Sequence, residues 1–258
     1  MKSFKLMFAA TVAFLAAALH AEPSRPMKEP LRVNTIFIPQ EGFDDNDNVE
    51  FVLDGELKNA CFQLGMSSVK IEGNVISVSL ESHRADDTYC TQDDAVLPEA
   101  IQAPVPFYKE IELGQLKAGQ YTLRYETTSV VVNKTFNVAQ APTNRQDSLN
   151  YAPVENASID SIVKTGDNVK LRLTGVLTSS CMHLRDEALV SLEGDVVVVQ
   201  PLVRVDLTSN CLMYLRPFSQ EVMFPNLTEG RYLIHIRSMN GRALNRVLSV
   251  SDEASTAL

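Results

Sequence analysis

The sequence predicts an all-β protein, built as two tandem Greek-key sandwiches of about seven short strands each. Three observations predict it. The stretch Leu113–Tyr125, LGQLKAGQYTLRY, returns as Pro225–Ile236, PNLTEGRYLIHI, with Leu116, Gly119 and Tyr121 matched by Leu227, Gly230 and Tyr232. Asp47, Asn48, Val49, Leu53, Gly55, Leu57, Cys61 and Leu64 recur in the same order as Asp167, Asn168, Val169, Leu173, Gly175, Leu177, Cys181 and Leu184. Apolar residues alternate with period two, and no long run carries the 3.6-residue period of an amphipathic helix.

Residues 1–21 read as a secretory signal. Lys2 and Lys5 precede an apolar run, Leu6 to Leu19, and a small residue, Ala21, stands before Glu22-Pro23. That run is shorter than the roughly 20 apolar residues a membrane span needs, and no other stretch approaches this length. The reading places the protein in a periplasm or outside the cell. Residues 22–30, with Pro23, Pro26 and Pro30, have little to bury and read as a flexible lead-in.

The first sandwich is expected over residues 31–138. Leu31 to Ile38 is β-branched enough for a strand, and Val49, Phe51 and Leu53 alternate along the next. Val69 to Leu80 is a hairpin around Glu-Gly-Asn, because Gly beside Asn suits the positive φ of a tight turn. Strands follow at Phe107 to Leu113, after the corner at Tyr121, and at Val130 to Val138. Residues 139–156, polar and without periodicity, read as a linker.

Residues 157–250 repeat the plan. Val169, Leu171 and Leu173 alternate, Leu189 to Val205 turns at Glu-Gly-Asp, and Phe218 to Phe224 matches Phe107 to Leu113. Asn240-Gly241 marks a further hairpin before the closing strand Ala243 to Val250. Residues 251–258 read as a tail. At about 100 residues, each copy has the scale of an immunoglobulin-like sandwich.

Cys61 and Cys90, then Phe107, Ile111, Leu113, Gly114, Leu116, Gly119 and Tyr121, form a pattern that resembles the tandem immunoglobulin-like β-sandwich domains of secreted bacterial proteins. The second copy departs from it with Phe224-Pro225 where the first has Leu113-Gly114. The resemblance implies a fold and carries no catalytic position across.

The chemistry expected of the chain is sparse. Four cysteines permit three connectivities, and in an exported chain they read as two disulfides; pairing Cys61 with Cys90 and Cys181 with Cys211 closes one loop in each copy. His83, His183 and His235 lie far apart without metal-ligand spacing, and His235, opposite in parity to Tyr232 and Ile234, is expected to face solvent. There is no Gly-x-Ser-x-Gly elbow. Neither Ser67 to Lys70 nor Ser161 to Lys164 opens a helix, as a Ser-x-x-Lys nucleophile requires. Asp44, Asp45, Asn46 and Asp47 offer the hard oxygens of a calcium site, or else a solvated polar turn.

Charge separates the copies. The chain carries a formal net charge of −9, which disfavours nucleic acid as a partner. The acidic excess lies in the first copy, much of it at Asp86, Asp87, Asp93 and Asp94 beside Cys90, whereas Arg231, Arg237, Arg242 and Arg246 gather around the Asn-Gly hairpin of the second. These two clusters are the surfaces expected to meet a protein or envelope-surface partner. The reading is a non-enzymatic binding protein without cofactor. An extracytoplasmic hydrolase or hydrolase inhibitor using the acidic loop up to Phe107, or a subunit of a surface assembly, are the alternatives.

Overall fold

A computed structural model describes residues 28–252 except 40–42, 86–89, 91–97, 127–130, 146, 148, 209 and 225. The signal, most of the lead-in and most of the tail therefore lie outside the described residues. The fold is an all-β sandwich architecture, as the alternation predicts; among the described residues the helical exception is one turn, α1 (Glu99–Gln102).

In the first half, β2 (Arg32–Phe37), β3 (Val49–Leu57) and β6 (Val105–Gly114) form one sheet. It faces a second sheet of β1 (Lys28–Pro30), β4 (Phe62–Glu72), β5 (Val75–Arg84), β7 (Gly119–Glu126) and β8 (Val131–Val138). β5 and β7 pair in parallel, because the chain crosses to the facing sheet for β6 and then returns. Phe51, Leu53 and Ile111 from one sheet meet Ile76, Val78, Leu123 and Tyr125 from the other in a single core. Lys28–Pro30, read as flexible, is instead a strand against Glu81–His83, where β5 runs on past the residues that pair with β7.

The second half repeats this with β9 (Val154–Ser158), β11 (Val169–Ser179) and β16 (Met213–Phe224) in one sheet. The facing sheet holds β10 (Ile162–Lys164), β13 (Leu189–Glu193), β14 (Val196–Gln200), β17 (Gly230–Ser238) and β18 (Arg242–Ser251). A short ribbon joins β12 (Met182–Leu184) to β15 (Val203–Val205). Leu171, Leu173, Val197, Val199, Ile234 and Leu248 lie in its core. Residues 154–156, read as linker, are the start of β9; Val154 and Ala157 face the core while Glu155, Asn156 and Ser158 are exposed, a strand pattern too short to stand out among polar neighbours.

The repeated residues have common causes. At Gly55 a side chain would overlap the Arg32 carbonyl and the Phe107 ring; at Gly175 it would overlap the Pro153 carbonyl and the Phe218 ring. Both glycines allow the same backbone approach. Tyr121 donates its hydroxyl to the Lys117 carbonyl at 3.0 Å, and Tyr232 donates to the Thr228 carbonyl at 3.1 Å, while both rings stay buried. Each thus satisfies its one polar atom inside an apolar corner, with Leu116 and Leu227 buried beside them. Disulfides join Cys61 to Cys90 and Cys181 to Cys211, loops for which the chain-entropy model gives about 3–4 kcal/mol each.

Candidate functional site

Four of the residues singled out in the sequence, Asp47, Arg231, His235 and Arg237, converge on a seam between the halves. Phe37 on β2 and Val52 on β3 pack against Val196 and Val198 on β14, Leu233 on β17 and Val247 on β18. These are the outward faces of two sheets, so β3, β14 and β17 are buried on both sides. Around this apolar patch stand acids from the first half and bases from the second.

Asp54, fully buried, takes a bidentate hydrogen bond from Arg231, whose Nε lies 2.7 Å from Oδ2. Asp47 accepts from Arg237 Nη2 at 2.9 Å, and both side chains are buried. Arg237 also lies over the Tyr151 ring, 5.2 Å from its centroid. Burial pushes the Asp47 carboxyl up and Arg237 opposes that shift; burial likewise works against the Arg237 charge, and Asp47 holds it.

His235 closes the set. The sequence reading places it in solvent, but it is fully buried, because the outward face of β17 is covered by the first half. Its Nδ1 donates to Asn245 Oδ1 at 2.9 Å, and Asn245 Nδ2 donates to Glu50 Oε1 at 2.7 Å. Burial lowers the His235 pKa to about 4, so at neutral pH the 3.5 Å approach of Glu50 is a polar contact with a neutral ring and not an ion pair. Burial also raises the Glu50 carboxyl, with Glu110 and Glu112 adding to the effect.

Of the four arginines expected to meet a partner, Arg231 and Arg237 therefore bind this same chain. Arg246 donates to the Ala157 carbonyl at 3.0 Å, Arg242 is exposed, and Arg231 keeps its outer side open to solvent while it holds Asp54. The correction has a plain cause: charged side chains on an outward strand face look solvated in sequence until the facing acids are placed opposite them. Asp86, Asp87, Asp93 and Asp94 lie outside the described residues.

The calcium candidate is likewise engaged in the fold. Asp45 Oδ1 accepts from the Ala141 N–H at 2.8 Å, and Asp44 Oδ1 accepts from the Asn46 N–H. Asp47 is held by Arg237, and Asn46 Nδ2 donates to the Thr143 and Arg145 carbonyls at 2.9 Å each. The string fastens the segment after β8. Among the described residues no group of three or more His, Cys, Asp or Glu side chains is placed to hold a metal ion.

The open surface is elsewhere, at the end of the second half that carries its disulfide. Leu207, Leu212, Met213, Tyr214 and Leu215 are 86, 70, 94, 56 and 69 % exposed. They form a strip running from the loop before Cys211 into the start of β16, where Met213 pairs with Ser179 and the ladder shifts register. The sequence reading missed it because Leu-Met-Tyr-Leu resembles an ordinary buried strand. The repeat holds the signal: the aligned stretch of the first copy, before Pro106, reads Gln102-Ala103-Pro104, small or polar where the second copy has Met213-Tyr214-Leu215.

Beside the strip a pocket of about 520 Å³ opens between Leu149, Tyr151, Met182, Val203, Val205 and Met239. A groove of about 600 Å³ lies in the first half between β4 and β6, with Glu110 and Glu112 along it.

Among the described residues no helix is long and apolar enough to cross a membrane. Residues 51–138, from within β3 to the end of β8, match the model of the ORF11 beta-sandwich domain family. No curated protein and no solved structure matches the chain.

Proposed function

We propose that this is a non-enzymatic interaction protein of an exported, oxidising compartment, made of two tandem disulfide-stapled sandwiches over residues 31–138 and 157–250. Its partner meets the apolar strip of the second. The strip is the observation that carries the reading: five large apolar side chains gathered within residues 207–215, beside one disulfide, are 56–94 % exposed, more than any other large apolar side chain among the described residues except Met66. Such patches mark contact surfaces. The stapled loop supports the reading, since the Cys181–Cys211 bridge holds one end of the strip in place before any partner arrives. The titratable groups with shifted pKa values at the seam are consumed by one another, which supports a structural role for them over a reactive one.

The test is a photo-crosslinking side chain placed at Met213 in the exported chain, with the exposed Tyr108 of the first half as control. A discrete adduct at position 213, absent at 108 and lost with Leu212→Asp/Leu215→Asp, is the expected result. No adduct at 213, or equal adducts at both positions, overturns the reading.

A further inference from the structure

We propose that the 520 Å³ pocket beside the strip is the anchor socket for an acidic, apolar peptide segment of the partner. The inference rests on the strip being the contact surface. Pocket and strip are continuous: Ser179 and Met182 line the pocket, Met213 pairs with Ser179, Leu212 accepts the Ser180 N–H, and Arg216 Nη2 donates to the Met182 carbonyl at 2.9 Å. A peptide lying along Leu212–Leu215 passes the mouth of the pocket and can drop one side chain into it.

The lining names that side chain. Leu149, Met182, Val203, Val205 and Met239 give aliphatic and thioether walls, and the volume falls within the roughly 300–1,000 Å³ of ordinary ligand pockets. It suits a large apolar group such as Phe or Leu. Methionine walls adapt to either.

The charge of the rim names the rest of the segment. Asp147 and Arg145 both line the pocket, but they are not equivalent. Both carboxylate oxygens of Asp147 are occupied, accepting from the Asn240 N–H at 2.8 Å and the Gly241 N–H at 3.1 Å, the turn where both residues hold positive φ. The Arg145 side chain is exposed and has no carboxylate partner among the described residues. Arg145 is held in place through its backbone, its carbonyl accepting from Asn46 and its N–H donating to Thr143 Oγ1. Asp147 keeps its charge but turns its two oxygens onto the Asn240–Gly241 backbone, whereas Arg145 stands exposed on a fixed backbone beside the apolar socket, so the group that complements the open part of the rim is a carboxylate beside the anchor.

The experiment is to pan a display library of random 12-residue peptides over the immobilised full chain with its disulfides intact, then to measure affinities of the selected peptides by fluorescence polarisation. Expected is enrichment of a large apolar residue flanked by Asp or Glu, with at least tenfold weaker binding to Arg145→Glu and to Leu212→Ser/Leu215→Ser, each variant first shown to keep its circular dichroism and melting temperature. Arg145→Lys, which keeps the charge, restores most of the affinity. Peptides that are basic, without consensus or absent overturn the socket. Binding lost with Leu212→Ser/Leu215→Ser but unmoved by Arg145→Glu overturns the socket while the strip stands; binding unmoved by either overturns both. Strip-dependent co-sedimentation with phosphatidylglycerol vesicles, without peptide binding, assigns the strip to a lipid surface and overturns the peptide ligand.

Discussion

Strand β3 and its repeat β11 place their inward residues identically and meet opposite surroundings on their outward faces. Glu50, Val52 and Asp54 on β3 are covered by the second half, whereas the aligned Lys170, Arg172 and Thr174 on β11 face solvent, with Lys170 and Arg172 sharing Glu221 in exposed ion pairs at 2.9 and 3.1 Å. Strand β17 and its counterpart β7 show the reverse. Arg231, His235 and Arg237 lie in the seam, while Gln120, Arg124 and Glu126 are exposed and Arg124 pairs with Glu126 at 2.9 Å in water. Duplication preserved the inward code, and divergence of the outward faces turned one acidic sheet and one basic sheet into partners. The same divergence, at residues 213–215, left the start of β16 apolar and uncovered.

The sharpest way to break this comparison is to remove one charge at each aligned position. Arg237→Ala leaves Asp47 buried without its cation and should cost about 3–5 kcal/mol, whereas Glu126→Ala, its counterpart in the first half, removes an exposed pair and should cost less than about 1 kcal/mol. Urea unfolding of the oxidised variants measures both. Equal losses would mean that the seam residues are solvated like their counterparts.

A smaller effect separates His235 from its counterpart Arg124 through pH. The folded pKa of His235, about 4, lies below the unfolded value of about 6.5, so between these values the unfolded chain holds more protons. Stability contributed by His235 is complete above pH 6.5 and is lost as pH falls towards 4, by up to about 3 kcal/mol. Asp47 and Glu50, with carboxyls raised by burial, act in the opposite sense: the folded state binds their protons first, so acid recovers part of the loss just above the ordinary carboxylate range. In His235→Gln the decline between pH 6.5 and 4 should disappear, leaving the carboxylate limb. An unchanged decline would place the titration elsewhere.

The comparison also shows what was legible in the sequence. Residues that obey period two against one core, such as Val49, Phe51 and Leu53 or Val169, Leu171 and Leu173, were readable, as were the hairpin turns, where Gly73 and Gly194 hold positive φ. The cysteine pairs were readable from their place in the repeat. The seam was not, because period two assumes that the second face is wet. Val196 to Val199, apolar at both parities and all buried, carried the hint of a strand covered on both sides. Asp54 and Arg231 carried none, since a charge buried by a partner and a charge in water are the same letter. The strip at Leu212–Leu215 was hidden for the opposite reason: nothing in an apolar tetrapeptide says that its neighbours fail to cover it.

Differential scanning calorimetry of the intact, oxidised chain tests most directly whether the two halves are joined into one cooperative body by the seam. The account predicts a single transition whose van't Hoff and calorimetric enthalpies agree, separating into two in Arg237→Ala. Two transitions in the unsubstituted chain, unmoved by that substitution, would contradict it.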